Sequence, residues 1–251
     1  MNETSWNGAG EPRWAAPRAL LTGEGLKETF LSAGNLPAAW PLHLARARRG
    51  ATILGLPWPG AADLAKGVLA AIDGHWDRHG PLLDHQRLRM RLLLLAGGEA
   101  GPLHRLDSVQ VQVDVTTLGR SEVDLSPRRL ALGPRLRAPD QPLAGCKTLA
   151  MAADLVALRQ ARDAGFDDVL ICDHLGRFAE TPIANLVFGL SDGRVVTPGP
   201  ASGAVAGTLL ARLAALDRAP WRVSPADLSV AHLAGIHWGV MVNAVRGAWP
   251  V

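Results

Sequence analysis

Gly145-Cys146-Lys147-Thr148-Leu149 opens the stretch of sequence that decides the fold. The residues after it predict a helix that ends near Gly165, followed by a strand at residues 168–172. Glu180 comes next, and the pair Asn185-Leu186 begins five residues after it. Helix and strand thus alternate directly after the lysine. This alternation predicts an α/β or α+β fold.

Two further features extend this pattern. A second strand is predicted at residues 194–198, and a loop with glycine at both ends, 203–207, opens a helix at Thr208. Lys147, Glu180 and this helix start supply an amine, a carboxylate and backbone N–H groups, in that order. Pyridoxal 5′-phosphate (PLP) needs these three partners, because its aldehyde binds an amine, its pyridine nitrogen pairs with an acid and its phosphate binds N–H groups. The order therefore indicates PLP as the cofactor.

Length and composition limit the class of protein. The chain has 251 residues, of which 48% are hydrophobic and 20% charged, so one or two domains with a sizeable core are expected. The formal net charge is +3 and the isoelectric point about 9.4, which favours anionic small molecules as ligands. The densest basic cluster, Arg46 with Arg48 and Arg49, is too short to predict a nucleic-acid partner.

Cysteine content and apolar runs bear on where the protein works. Two cysteines, Cys146 and Cys172, are too few for a disulfide framework and fit a reducing compartment. The N-terminus is polar and lacks the apolar core of a signal peptide, and no apolar run reaches membrane-spanning length. We therefore expect a cytoplasmic protein with no membrane partner.

Hydrophobic periodicity divides the chain into two predicted domains. Residues 1–16 have no periodicity and are expected to form a loose terminus. The predicted elements after them are a short strand following Gly25, helices at 42–54 and 61–79, and strands at 85–96, 109–115 and 130–132. A polar cluster with Gly119 lies at 116–124, and we place the boundary there. The predicted domains are 1–117 and 118–251.

Seven short blocks, in order, resemble one enzyme family. They are Gly23-Glu24-Gly25-Leu26-Lys27-Glu28-Thr29, His43-Leu44-Ala45-Arg46, Leu54-Gly55-Leu56-Pro57, Gly145 to Leu149, Glu180 with Asn185-Leu186, Val195-Val196-Thr197-Pro198, and Asn243 to Val251. Together they are similar to the class IV, fold-type IV, PLP enzymes. That family includes branched-chain and D-amino-acid aminotransferases and 4-amino-4-deoxychorismate lyases. The resemblance implies a small N-terminal α/β domain, a larger C-terminal α/β pseudo-barrel domain and a homodimer.

The same resemblance implies roles for individual residues. Lys147 becomes the Schiff-base lysine, and Glu180 faces the pyridine nitrogen. The phosphate is bound by Arg46 and by the backbone N–H groups of Thr208 and Leu209, while Asn243 and Ala244 lie in the loop that closes over it. The resemblance implies no metal ion. The helix pattern alone does not single out Arg46. By that pattern it is, like Arg48 and Arg49, an arginine on a solvent-exposed helix face.

The chain departs from the family pattern at several positions. Ala150 and Met151 stand where an asparagine and a tyrosine are common, and the chain contains no tyrosine at all. Lys27 replaces a phenylalanine. These changes leave three hypotheses open. The first is an aminodeoxychorismate-lyase-like enzyme, the second an aminotransferase acting on a branched-chain, D- or unusual amino acid, and the third a non-catalytic PLP-binding protein.

Lys27 bears on the choice of amine substrate. Strand alternation places Lys27 and Thr29 on one face of the predicted strand and Glu28 on the other. If the first face lines the pocket, the lysine favours a substrate whose carboxylate lies far from its amine. The alternative is that Lys27 points to solvent or pairs with a nearby acid.

Overall fold

The computed structural model describes residues 4–7, 17–98, 105–119, 125–216 and 222–251, with only the backbone described for 4–7 and 17. The chain divides into two compact units. The first is Met1–Val123 with Cys146–Ala150, and the second is Asp124–Gly145 with Met151–Val251. This division differs from the predicted 1–117 and 118–251, because the segment around Lys147 belongs to the first unit.

The first unit packs helices on one face of a four-stranded sheet. Its elements are β1 (Thr4–Asn7), α1 (Pro17–Thr22), β2 (Gly25–Ser32), α2 (Trp40–Leu54), α3 (Ala61–His79), β3 (Arg87–Ala96) and β4 (Val109–Leu118). The strand order is β1-β4-β3-β2, with β1 parallel to β4 and the other pairs antiparallel. Alternate residues of β3, from Leu88 to Leu94, are buried in a core that includes Leu64, Val68 and Ile72 of α3.

The two predicted helices of this unit are confirmed. α3 has the predicted bounds, and α2 begins two residues before the predicted start and ends at Leu54. Gly55 caps α2 in the left-handed conformation, with φ of 70°, which glycine adopts without steric cost. α3 is 19 residues long but carries several charged residues, and no described helix is both long and apolar enough to cross a membrane.

The prediction of a loose terminus was wrong for Thr4–Asn7. These residues form β1 and pair in parallel with Val109 to Gln112 of β4. An edge strand exposes unpaired N–H and C=O groups, so it can bind an extended segment whose own sequence carries no strong pattern. Residues 1–3 and 8–16 lie outside the described part of the chain.

The second unit contains two sheets and two α-helices among its described residues. Its elements are β5 (Leu130–Arg137), α4 (Ala152–Asp163), β6 (Asp168–Asp173), β7 (Phe178–Glu180), β8 (Asn185–Leu190), β9 (Val195–Pro198), α5 (Thr208–Ala214), β10 (Val223–Ala226), β11 (Ile236–Asn243) and β12 (Gly247–Pro250). Short 3-10 helices lie at Pro200–Ser202 and Val230–Gly235. The sheets have the orders β10-β9-β8-β11-β12 and β5-β6-β7.

Parallel pairing within these sheets follows from the connections between strands. β5 and β6 are parallel, and so are β9 and β10, with a helix between the two strands of each pair. α4 packs on β5 and β6 through Ala157, Leu158 and Ala161. β5 runs five residues beyond the predicted 130–132, and this extension brings Arg137 to the end of the strand.

We predict that truncating a core leucine of α3 destabilises the protein, whereas truncating an exposed leucine of the same helix does not. Leu64 is 0% exposed and Leu69 is 39% exposed. Leu64→Ala should lower the free energy of unfolding by about 2–5 kcal/mol, because it leaves a cavity in the core. Leu69→Ala should stay within about 0.5 kcal/mol of the wild type. Urea unfolding measures both, and equal losses would contradict the described packing of α3.

Candidate active site

Lys147 is held against β2 by backbone hydrogen bonds. The N–H of Lys27 donates to the carbonyl of Lys147 at 3.0 Å, and the N–H of Leu149 donates to the carbonyl of Gly25 at 3.1 Å. Leu26 and Thr148 form an antiparallel bridge between these two bonds. The lysine segment therefore acts as a short additional strand beside β2, in register with Gly25 to Lys27.

This register places Lys27 opposite Lys147. In an antiparallel ladder, directly opposed residues direct their side chains to the same face. Along β2, Glu28 is buried while Lys27 and Thr29 are half-buried, so the predicted alternation of this strand is confirmed. Lys147 thus shares the face of Lys27 and Thr29, and Glu28 lies on the other face.

Glu28 lies at the centre of a buried charged cluster. Its carboxylate contacts Nδ1 of His43 at 2.6 Å, accepts a hydrogen bond from Nε of Arg46 at 2.8 Å, and accepts a second one from Nη2 of Arg46. All three side chains are less than 10% exposed. Burial alone would raise the pKa of Glu28, but the hydrogen bonds from Arg46 and His43 outweigh it and hold the pKa below its ordinary value.

The cluster distinguishes Arg46 from the neighbouring arginines of α2. Arg46 is buried, whereas Arg48 and Arg49 are exposed. Glu28 fixes the plane of the Arg46 guanidinium through a two-point contact, which is the geometry that arginine favours with carboxylates. Binding of the cofactor phosphate by Arg46 stays a prediction.

Glu180 is the central acid of the second unit. It ends β7, is 4% exposed, and accepts hydrogen bonds from Nε of Arg137 at 2.8 Å and from the N–H of Val205 at 3.1 Å. Each of its two oxygens accepts one of these bonds. A buried carboxylate without such partners would be strongly destabilising. The two donors hold Glu180 in one orientation.

Arg137 joins Glu180 to a second carboxylate. Its two terminal nitrogens donate to the two oxygens of Asp154 in the first turn of α4, both at 2.9 Å. Burial alone would lower the pKa of Arg137, but hydrogen bonds and charge interactions with Asp154 and Glu180 raise it above its ordinary value. The guanidinium is therefore a permanent charge shared between two acids.

The loop before α5 approaches Asn185 closely. The Asn185 side chain donates to the carbonyl of Val205 at 2.9 Å, and a Cβ placed on Gly207 would overlap its Oδ1. A larger residue at position 207 would displace the Asn185 side chain. α5 then begins at Thr208, which is buried, and Leu209 follows it half-buried. N–H groups of a first helical turn point beyond the helix start and favour anions, as the predicted phosphate role requires.

Asn243 organises the turn between β11 and β12. Its Oδ1 accepts from the N–H groups of Val245 at 2.9 Å and Arg246 at 2.7 Å, and its Nδ2 donates to the carbonyl of Ile183 at 3.1 Å. These bonds form an Asx-type turn, and Ala244 lies within it, half-buried. The side chain of Asn243 fixes the conformation of this loop. That the loop closes over the cofactor phosphate stays a prediction.

Two residues of this site were missed in the sequence. Arg137 was missed because the apolar pattern of β5 breaks at Gly133 and Pro134, where the ladder with β6 changes register. Asp154 was missed because an acid in the first turn of a helix is common for reasons of helix dipole alone. Two carboxylates that share one half-buried arginine are detectable only from the tertiary structure.

Comparison with known proteins gives one family. The amino-transferase class IV family matches residues 25–251. A fold IV-transaminase from Curtobacterium pusillum is 28% identical, with a TM-score of 0.82, over 96% of this chain and 82% of that chain. 4-Amino-4-deoxychorismate lyase from Pseudomonas aeruginosa is also 28% identical, with a TM-score of 0.70, over 98% and 88% of the two chains.

A third structure shares the fold at lower identity. It is a hypothetical aminotransferase from Mycobacterium tuberculosis in its PLP-bound form, 23% identical, with a TM-score of 0.80 over 96% of this chain and 86% of that chain. No curated protein sequence matches the chain significantly. With residues 25–251 matched, the chain belongs to the amino-transferase class IV family and is a PLP-dependent enzyme with the fold-type IV architecture.

The residues described above suit PLP. Glu180 is a buried, fixed carboxylate of the kind that a pyridinium requires, and the first turn of α5 has backbone N–H groups of the kind that a phosphate requires. Lys147 lies next to a strand whose other face buries the Glu28 cluster. The first unit thus contains an amine, and the second contains an acid and a helix start, which are the three kinds of group that PLP needs.

We predict that Glu28→Gln is strongly destabilising. The amide leaves Arg46 buried without its anion, which should cost about 3–5 kcal/mol at neutral pH. Since the folded-state pKa of Glu28 lies below its ordinary value of 4.5, its carboxylate stabilises the fold above that pH, and this contribution is lost as the pH falls through the folded-state pKa. Glu28→Gln should therefore flatten the acid limb of the stability curve.

The matched control for this prediction is Asp192→Asn. Asp192 also pairs with an arginine, Arg194, but the two side chains are 50% and 66% exposed. The loss of stability should be much smaller, because exposed ion pairs are screened by water. Urea unfolding between pH 3 and pH 7 measures both variants. Equal losses, or an unchanged acid limb in Glu28→Gln, would argue against the buried cluster.

Proposed function

We propose that the protein is a PLP-dependent lyase that removes pyruvate from a 4-amino-4-deoxychorismate-type substrate and releases 4-aminobenzoate. The observation that carries this proposal is the position of Lys27 opposite Lys147 in the bridge to β2. Of the 26 lysines and arginines in the chain only three are lysines, Lys27, Lys66 and Lys147. Two of these three occupy opposed positions on neighbouring strands.

A cation at position 27 fits one class of substrate. An amino-chorismate-type molecule carries two carboxylates remote from its amine, and an ammonium group on the Lys147 face can pair with one of them. A branched-chain amino acid has an apolar side chain, which gains nothing from a half-buried cation.

The remaining roles follow the family pattern. We propose that Lys147 binds the aldehyde of PLP and that Glu180 holds the proton of its ring nitrogen. Arg46, with the N–H groups of Thr208 and Leu209, would bind the phosphate, and Asn243 and Ala244 would close the loop beside it. Thr29 would line the substrate side of β2 together with Lys27. PLP, once bound, supplies an electron sink.

In this proposal the chain moves one proton. With PLP holding the substrate amine, the Nζ of Lys147 would be the base that removes the proton from the amine-bearing carbon. The electron pair of that C–H bond completes the aromatic ring, while the C–O bond to the enolpyruvyl group breaks. The departing enol takes up a proton and becomes pyruvate, so no second substrate, oxidant or reductant is needed.

The family binds amino and keto acids as small-molecule ligands, and the same family resemblance supports a homodimer as the working form. An aminotransferase would share every residue role above but would need a keto acid as acceptor. The identity to the Curtobacterium pusillum transaminase equals that to the lyase, so the reaction itself must separate the two.

We predict release of 4-aminobenzoate and pyruvate from 4-amino-4-deoxychorismate without any keto acid. Both products are measured by chromatography, and light scattering of the same sample tests the dimer.

Borohydride should fix PLP to Lys147, which mass mapping distinguishes from Lys66 and Lys27. Lys147→Ala should abolish both fixation and turnover. Absence of 4-aminobenzoate, together with conversion of PLP to its amine form by an amino donor, would assign the protein as an aminotransferase instead.

We predict that Lys27→Phe lowers kcat/KM for dicarboxylate amines by roughly ten- to a hundredfold, as expected for one lost charge-assisted contact. The variant should gain relative preference for apolar amines. Lys27→Arg retains the charge and should keep most of the activity, whereas Lys66→Phe changes an exposed lysine of α3 and should have no effect. Unchanged kinetics of Lys27→Phe on both substrate classes would show that Lys27 does not face the substrate.

A further inference from the structure

Arg137, Asp154 and Glu180 form a continuous chain of charges within the second unit. Arg137 donates through Nε to Glu180 and through both terminal nitrogens to Asp154. The three residues come from different elements, since Arg137 ends β5, Asp154 lies in the first turn of α4 and Glu180 ends β7. Neither Arg137 nor Asp154 belongs to the set of groups proposed above to touch the cofactor or the substrate.

We propose that Arg137 and Asp154 are positioning residues that set how strongly Glu180 holds the proton of the PLP ring nitrogen. The proposal rests on the proposed role of Glu180 as the partner of that nitrogen. Arg137 fixes the orientation of the carboxylate, and Asp154 determines how much of the arginine's positive charge acts on it. The pair thereby adjusts the strength of the electron sink without contacting PLP.

The orientation effect follows from the hydrogen bonds. One oxygen of Glu180 accepts from Arg137 and the other accepts from the N–H of Val205. Arg137 is itself held at both terminal nitrogens by Asp154, so its Nε–H has one direction only. Preorganised groups of this kind act on a bound ligand without the free-energy cost of reorientation.

The charge effect has a definite sign. A cation next to a carboxylate stabilises the anion and makes it a weaker base. Arg137 alone would therefore weaken the hold of Glu180 on the ring proton. Asp154 neutralises part of that cation, so it strengthens the hold. Because a guanidinium stays charged throughout the working range of pH, the degree of sharing depends on Asp154 alone.

Other charged groups on the adjoining strands are engaged elsewhere. Asp173 lies opposite Arg137 in the β5–β6 ladder, but its carboxylate accepts from Nε of Arg177 at 2.6 Å. Arg135 donates to the carbonyl of His174. The Val205 N–H that reaches Glu180 is neutral. Arg137 is therefore the charged group of these strands that donates a hydrogen bond to Glu180, and Asp154 is the acid of α4 that pairs with Arg137.

The test is the pH at which the ring nitrogen of bound PLP loses its proton. Ring-nitrogen-labelled PLP reports this pH directly by nitrogen NMR, independently of turnover. Asp154→Asn retains an acceptor for Arg137 but removes the negative charge, and should lower this pH by about one unit. The double variant Arg137→Met with Asp154→Asn has the same net charge as the wild-type trio. It should return the pH toward the wild-type value while raising the Kd for PLP roughly tenfold, because Glu180 is no longer fixed.

The controls separate this proposal from its premise and from instability. Glu180→Gln should remove the ring protonation whatever the role of the pair. If it does not, the proposed role of Glu180 fails and the inference fails with it. Asp173→Asn removes a buried carboxylate from Arg177 in the same unit and should leave the ring nitrogen unchanged. The positioning role is overturned if the folded Asp154→Asn protein loses the ring-nitrogen proton at the same pH as the wild type or at a higher one. If Glu180→Gln still removes the ring protonation, the proposed role of Glu180 stands.

Discussion

A buried carboxylate must be matched by donors, and each of the two units contains such a match. In the first unit Glu28 is paired with His43 and Arg46, and in the second Glu180 is paired with Arg137. Removing water from an ionised acid costs several kcal/mol unless hydrogen bonds and a counter-charge replace it. The strands that carry these acids can be buried because Arg46 of helix α2 pairs with Glu28 and Arg137 of strand β5 pairs with Glu180. The two matches therefore constrain where the surrounding elements pack.

The elements with strong local patterns were predictable from the sequence. Leu64, Val68 and Ile72 recur at four-residue spacing, and the helix they indicate has the observed bounds. β7 was not predictable as a strand, because three residues are too few to show alternation. β1 was not predictable either, since a parallel edge strand depends on the exposed backbone of β4 rather than on its own side chains.

The candidate site was predictable residue by residue but not as a set of contacts. The motifs around Lys147 and Glu180 identify the type of chemistry, yet they do not reveal that the lysine segment pairs with β2 and opposes Lys27. That pairing joins residues 120 positions apart in the chain. Similarly, Arg137 lies beyond a break in the β5 pattern, and its contacts with Asp154 and Glu180 arise only when α4 and β7 pack on the same sheet.

The chain assigns different basic residues to different tasks. Arginine provides the fixed charges at Glu28 and Glu180, where a group that lost its proton would leave a buried acid unmatched. Lysine occurs at the two opposed positions, 27 and 147; in the proposed function Lys147 is the amine that exchanges a proton, and Lys27 is the cation for a substrate carboxylate. Guanidinium groups are permanent partners for the acids that organise the units, and the proposed proton transfer is assigned to Lys147. One face of β2 carries the buried Glu28 cluster, and the other carries Lys27 opposite Lys147, so in the proposed function this single strand serves both stability and catalysis.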